Sequence, residues 1–157
     1  MGRMTSPMLR GTWLGSVLRL LNPVLKRLLA SPLHPLLSPF FMLLGWTGRK
    51  TGRSYTTPVS YVREGEVVFV TTGDRWWRNL VGGAQVRLRI AGRSRTGAAT
   101  PLTDRDECIA VHARLFRERP FFRRLAGLHA APGGGADPAH VARAVDAGRM
   151  LVRIDLD

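Results

Sequence analysis

Four short runs of β-forming residues, joined in pairs by glycine-containing turns, dictate most of what this chain can fold into. Tyr55–Arg63 and Glu66–Thr72 are rich in Val, Thr, Tyr and Phe and are separated by Glu64-Gly65. Gln85–Ala91 alternates, with Val86, Leu88 and Ile90 on one face and Arg87 and Arg89 on the other. Ala91-Gly92 then turns the chain into Arg93–Leu102. A period of two sends successive side chains to opposite faces, and a tight glycine turn returns a strand antiparallel to its neighbour. A buried apolar run at Phe41–Trp46 and an alternating run at Met150–Leu156 complete the set. The expected class is α+β: an antiparallel sheet curled into a small barrel, with helices at both ends of the chain.

The helices are read from a different period. Leu14, Val17, Leu18, Leu21, Val24, Leu25 and Leu28 recur at helical spacing between Trp13 and Ala30, with Arg19, Lys26 and Arg27 on or near the other face. Asn22-Pro23 breaks the run and starts a second helix as cap and first-turn proline. Thr103, with Asp106 three residues on, reads as the cap of a helix to about Arg119; Pro120 stops it, and Phe121–Leu128 adds a turn or two. His129–Ala136, with Gly133, Gly134 and Gly135, reads as a flexible loop, and Asp137-Pro138 caps a last helix to Ala147. The uncharged run Leu28–Gly48 contains Pro32, Pro35 and Pro39, each removing a backbone donor that lipid cannot replace, so it does not span a membrane. The expected organisation is one domain over 1–157, with a helical, proline-rich extension at 1–38 and the barrel at 39–157.

Composition narrows the partners. The 157 residues carry 24 Lys+Arg against 11 Asp+Glu, a net charge of +13, and no acid precedes Glu64. Such a basic chain fits a nucleic acid, a membrane surface or a small anionic ligand. All but Lys26 and Lys50 of the cations are arginines, a bias that GC-rich coding also produces. The single Cys108 excludes a disulfide framework and a cysteine zinc site and fits a reducing compartment. His34, His112, His129 and His140 show no ligand spacing, and Cys108 inside a helix reads as a small buried residue. Asp104, Asp106 and Glu107 cluster at a helix start, where the dipole explains them.

Two segments can carry chemistry. Gly48-Arg49-Lys50-Thr51-Gly52-Arg53 lies between two strands; its glycines allow a tight loop whose amides face an anion, among three cations. It reads either as a phosphate-binding turn or as a basic hairpin tip in water, and it is not a Walker loop, because a strand follows it. Gly73-Asp74-Arg75-Trp76-Trp77-Arg78-Asn79-Leu80 follows a strand directly. Its tryptophans can wall a flat aromatic ligand, with Arg75 or Arg78 holding an anion; the other reading packs one Trp in the core beneath the other.

The string from Gly45 through Trp46, Thr47 and the basic turn to Ser54-Tyr55-Thr56-Thr57-Pro58-Val59, followed by Trp76-Trp77-Arg78-Asn79-Leu80, resembles the nitroreductase-like, deazaflavin (coenzyme F420)-dependent oxidoreductases. The match in order and spacing covers about Phe41 to Leu102. The resemblance implies a split β-barrel of the flavin-reductase and pyridoxamine-phosphate-oxidase type, and a reductase that passes hydride from F420H2 to a hydrophobic acceptor such as a quinone, activated alkene or nitroaromatic. It implies that Lys50 is the main phosphate cation, with Gly48, Arg49, Thr51, Gly52 and Arg53 forming the turn and Tyr55, Thr57 and Pro58 following it. Thr71, Thr72 and Gly73 would lie along the ring, Trp76 or Trp77 with Arg78 would border it, and Asn79 would fix the turn. No catalytic side chain is assigned. Family members acting on nitroimidazoles and quinones place tyrosines near the substrate; here the C-terminal region offers Phe121 and Phe122.

The implied partners are F420, with FMN as the alternative cofactor, and a small hydrophobic substrate. The setting is cytoplasmic, with peripheral contact at the inner membrane face through residues 13–30 and scope for an oligomer. Nucleic acid ranks last. The rival reading is a non-enzymatic or FMN- or haem-binding split barrel that docks on membrane surfaces or other anionic partners through its arginines.

Overall fold

The computed structural model describes residues 22–32, 35, 39–128 and 135–157. The helix expected between Trp13 and Asn22 and most of the glycine loop after Leu128 lie outside the described residues.

Helix α1 (Asn22–Ala30) leads through the prolines to β1 (Phe41–Thr47), β2 (Ser54–Glu64) and β3 (Val67–Thr72). A 3-10 turn (Trp76–Leu80) precedes β4 (Ala84–Ile90) and β5 (Arg93–Pro101). Helices α2 (Arg105–Glu118), α3 (Pro120–Leu125) and α4 (Pro138–Asp146) then precede β6 (Met150–Leu156). Every strand pairing is antiparallel, and the order β1-β2-β3-β6-β5-β4 closes on itself where β1 meets β4. Closure leaves no strand edge exposed, which a basic sheet of this size would otherwise have to protect.

One hairpin forms where the sequence puts it. Ile90 pairs with Arg93, leaving Ala91 and Gly92 as a two-residue loop with φ of 49° and 76°. Two positive φ values in succession match the right-handed twist of the flanking strands. The other hairpin is shifted by one residue: Glu64 is still paired with Val67, so Gly65 and Glu66 make the turn.

Alternation sorts each strand between two cores. Met42, Leu44 and Trp46 of β1, Val68 and Val70 of β3 and Val86, Leu88 and Ile90 of β4 fill the barrel. The opposite face of β3, through Phe69, receives Cys108, Leu115 and Phe116 of α2, together with Phe122 of α3 and Val141 of α4. The spacing Cys108, His112, Leu115, Phe116 is one helical stripe, and all four are buried. Helix α1 packs Leu29 against Phe41 and Leu43 on the outside of β1, while Val24, Lys26 and Arg27 face solvent. The cap of α2 is corrected by one position: Asp104, not Thr103, has the extended backbone of a cap, and its side chain accepts from the Glu107 amide at 2.8 Å. A carboxylate at that place also complements the helix dipole. Among the described residues, no helix is long and apolar enough to cross a membrane.

Barrel closure leaves little room between β5 and β6. A Cβ at Gly97 would lie 2.8 Å from the Asp155 carbonyl and 2.8 Å from Ile154 Cγ2. Backbone cannot yield there as a flexible side chain would, so Gly97→Val should lower the unfolding free energy by about 1–3 kcal/mol or more in a urea titration, the range for overpacked cores.

Candidate functional site

Strands β1 and β3 run in the same direction, since each is antiparallel to β2. Their C-terminal ends, the basic turn after Thr47 and the segment after Thr72, therefore share one rim of the barrel. This brings together the two segments that the sequence singled out.

The basic turn is built by its own backbone. Gly48 N–H donates to the Arg53 carbonyl at 2.8 Å, and Gly52 N–H, at φ 67°, returns to the Gly48 carbonyl at 2.9 Å. Thr51 Oγ1 accepts from the Arg53 amide at 3.3 Å. These bonds occupy the glycine amides inside the turn, and the cationic side chains of Arg49, Lys50 and Arg53 point outward into solvent. Gly48 is buried, and a Cβ there would meet Thr51 Oγ1 at 2.8 Å and Tyr55 at 3.0 Å. Glycine at this position lets the turn and the Tyr55 ring close on each other.

Asn79 joins the turn to the tryptophan segment. Its Nδ2 donates to the Trp76 carbonyl at 2.9 Å and its Oδ1 accepts from the Arg49 amide at 3.0 Å. One amide side chain thus fastens the 3-10 turn to the hairpin, with both halves of its donor and acceptor capacity used. Beside it, three rings form a ladder: Trp46 lies 5.6 Å from Tyr55 and 5.0 Å from Trp76, both stacked.

The result is an open cleft of about 560 Å³ lined by Trp46, Gly48, Arg49, Lys50, Thr51, Tyr55, Trp76, Arg78 and Asn79. Trp46 Nε1 is buried and has no hydrogen-bond partner among the described residues. A buried N–H without an acceptor is costly, and it is satisfied at no cost to the fold if a ligand supplies an oxygen or ring nitrogen. The described residues that line the cleft include no carboxylate and no histidine. Among the described residues, Arg49, Lys50, Arg53 and Arg78 have no acidic partner, whereas Arg63, Arg95, Arg105, Arg114 and Arg153 pair with carboxylates elsewhere.

Other expected residues are placed differently. Gly52 and Arg53 complete the turn without lining the cleft. Thr57 and Pro58 pair with Leu44 and Leu43 farther down β2. Trp77 packs against the barrel core, and Arg78 lies 5.7 Å above its ring. Thr72 Oγ1 accepts from the Asp74 amide at 3.0 Å and fixes the chain leaving β3 through Gly73. Thr71 turns to the other face of the sheet. Trp46, given no ligand contact in the sequence reading, lines the cleft as the middle ring of the ladder.

Thr71 belongs to a buried polar chain that the sequence did not reveal. Arg149 Nη1 lies 3.1 Å from Thr71 Oγ1, which lies 2.9 Å from His112 Nε2; His112 Nδ1 lies 3.0 Å from the Cys108 carbonyl. A carbonyl can only accept, so Nδ1 carries the proton and Nε2 is an acceptor. Thr71 then donates to His112 and accepts from Arg149, which orders every proton in the chain. Burial, with the Arg149 charge adding to it, pushes His112 down to about 3, so the ring is neutral. Burial pushes Arg149 down to about 10, and it stays charged at neutral pH, with Asp74 nearby opposing the shift. The only sequence trace of this chain is the i, i+4 spacing of Cys108 and His112.

A family model described as F420H(2)-dependent quinone reductase matches residues 28–122. A search of curated proteins returned no match. Among solved structures, an F420 reductase is similar at 12% identity and a TM-score of 0.44, over 79% of this chain and 92% of that one. A pyridoxamine 5'-phosphate oxidase-related, FMN-binding protein from Nostoc punctiforme is similar at 12% identity and a TM-score of 0.47, over 94% and 82%. An FAD- and haem-binding protein from Mycobacterium smegmatis is similar at 17% identity and a TM-score of 0.44, over 84% and 66%.

Proposed function

The chain belongs to the F420H(2)-dependent quinone reductase family and is an F420-dependent oxidoreductase, and we propose that the cleft at the barrel rim binds the deazaflavin for transfer of hydride to a small hydrophobic acceptor. A quinone, an activated alkene and a nitroaromatic are the acceptor classes that fit this chemistry.

The observation that carries the proposal is the Asn79 bridge. It holds an acid-free cationic turn against a stacked aromatic wall whose middle ring, Trp46, has a buried and unpartnered N–H among the described residues. A phosphate-bearing ligand with a flat ring needs those two ends in one cleft. The residues therefore fit the group. Lys50 and Arg49 would hold the phosphate, and Trp76, Trp46 and Tyr55 would flank the ring system. Trp46 Nε1 would donate to an acceptor on the ligand.

The reduced deazaflavin, when bound, supplies the hydride. The protein's share is orientation, and the described residues that line the cleft include no histidine or carboxylate to move a proton. Asn79 fixes the distance between the phosphate end and the ring end, so it acts as a positioning residue. The Thr71–His112–Arg149 chain stiffens the end of β3 from behind, where the strand hands over to the segment that carries Trp76.

Side-by-side titrations of purified protein with F420 and FMN, read by quenching of cofactor fluorescence, test the proposal. Deazaflavin should bind at least about tenfold more tightly than FMN, a difference near 1.4 kcal/mol. Affinity should decline gently with salt, unlike a purely electrostatic contact with nucleic acid. No quenching of F420 at any accessible protein concentration would sink the reading.

A further inference from the structure

We infer that a second groove, on the outer wall of the barrel, is a binding site for a molecule carrying two carboxylates, held by Arg87 and Arg89. The side chains that alternate with them, Val86, Leu88 and Ile90, fill the barrel, so the two arginines leave β4 on its outer face. Strand register sets them in two parallel rows. One row reads Thr56, Gly45, Arg87, Thr96; the next reads Pro58, Leu43, Arg89, Ser94. A Cβ at Gly45 would lie 3.3 Å from Arg87 Nε, so the missing side chain is what lets that guanidinium lie across β1. The rows enclose a groove of about 530 Å³, with Leu43 and Gly45 in its wall and the Thr56 and Ser94 hydroxyls at its sides.

Charge and burial select the ligand. Arg95 and Asp157 also line this groove, but both are engaged. Arg95 donates to Glu66 Oε2 at 2.8 Å and to the Asp157 carbonyl at 3.0 Å. The Asp157 carboxylate accepts from Gln85 and Thr96. Arg87 and Arg89 have no partner among the described residues, and Arg89 Nε is buried with its donor unused. Two neighbouring guanidinium groups repel each other, and a buried N–H lacks an acceptor; an oxyanion relieves both at once. Residues two apart on one face of a strand stand about 6.5–7 Å apart at the backbone, which leaves room for each guanidinium to take a carboxylate of its own.

The ligand has two sources. Gly45 lies three residues before Gly48, about 10 Å along β1 from the phosphate turn. The acidic tail of a deazaflavin held at that turn could cross the rim and reach the groove, a source that rests on the function proposed above. A separate di- or polycarboxylic acid is the other source and does not depend on it.

Two measurements on the full chain test the site and separate the sources. In the first, γ-linked triglutamate and inorganic phosphate are titrated while the arginine Nε–H resonances are followed by NMR. Triglutamate should move the Arg87 and Arg89 resonances and leave exposed Arg93 in place. Equal shifts with phosphate, or shifts spread over all exposed arginines, would overturn the two-carboxylate assignment. In the second, deazaflavin with a multi-glutamate tail and deazaflavin phosphate without one are compared on the native protein and on Arg87→Gln/Arg89→Gln. If the tail is the ligand, the tailed cofactor binds roughly tenfold more tightly to the native protein, and the double variant removes only that advantage. Resonance shifts with no effect of tail length support the site with a separate acid as its ligand. Still resonances together with no tail effect overturn it. Failure of every deazaflavin to bind would count against the proposed function and leave the resonance test to decide the groove.

Discussion

Replacing Lys50 with alanine should weaken binding of the phosphate-bearing deazaflavin by roughly 10- to 100-fold, the range that a charge-assisted hydrogen bond of about 1.5–3 kcal/mol gives. Lys50 is exposed in a turn whose glycine amides are already used internally, so the side-chain cations must carry the phosphate. Arg49 and Arg53 remain in the variant and keep the loss finite. The same substitution should leave the affinity of a deazaflavin chromophore lacking the phosphate unchanged, because the ring end of the cleft is not touched. Equal losses for both ligands would mean that Lys50 supports the turn and does not meet the phosphate. Asn79→Ala should behave differently. It frees the Arg49 amide and unfastens the turn from the 3-10 segment, so both ligands should lose affinity, by a smaller factor of roughly three- to tenfold, since water can replace the exposed half of the bridge.

Folding stability should fall as the pH drops from about 6.5 toward 4.5, by about 1.4 kcal/mol for each pH unit. The cause is His112, which burial holds neutral down to about pH 3 in the folded chain. Unfolded, the same ring takes up a proton near its ordinary value of about 6.5. Between those two values the unfolded state binds one proton more than the folded state, so stability rises with pH across the window and is lost as pH falls. Paired carboxylates add to the loss only at the acid end of this window. Glu64, Glu66 and Asp146 are held low first by hydrogen bonds from Arg114, Arg95 and Arg105 respectively. Their stabilisation is complete well above the unfolded carboxylate range of about 4 and begins to be lost as pH approaches it, so the slope between pH 7.5 and 5.0 is set mainly by His112. Urea midpoints at pH 7.5, 6.0 and 5.0 would give the slope. His112→Gln can still accept from Thr71 and cannot titrate. It should lower stability at pH 7.5 and flatten the dependence between 6.5 and 4.5. An unchanged slope in that variant would place the titrating group elsewhere.

Much of the barrel was legible because strands and tight turns are written in adjacent residues. The alternation of Val86, Leu88 and Ile90 with Arg87 and Arg89 specified which side chains enter the core. Ala91-Gly92 specified a two-residue loop, and Asp137-Pro138 specified a helix start, with Asp137 accepting from the Ala139 amide. The errors were one-residue shifts at element ends. Thr103 and Asp104 are both good caps by type, and only the backbone angle decides between them.

The site was legible in part. Its basic turn and its tryptophans stood out because unusual residue types are concentrated there, but which ring faces the cleft was not readable. Trp76 and Trp77 are adjacent and both pack partly against the barrel core, but only Trp76 also lines the cleft. Trp46 sat inside an apolar run and looked like core alone. Thr71 was expected along the ring beside Thr72, yet a period of two must send neighbouring side chains to opposite faces, and it sends Thr71 to α2.

By itself, then, the sequence determined what depends on short separations: strand alternation, turn chemistry, the acid-free cationic loop and the family to which these motifs point. Tertiary structure alone decided which of these segments meet. Asn79 reaches the Arg49 amide across 30 positions, Thr71 reaches His112 across 41 and Arg149 across 78. Each of those bonds exists only because barrel closure sets the register of six strands, and register is a property of the whole sheet that no local stretch of residues carries.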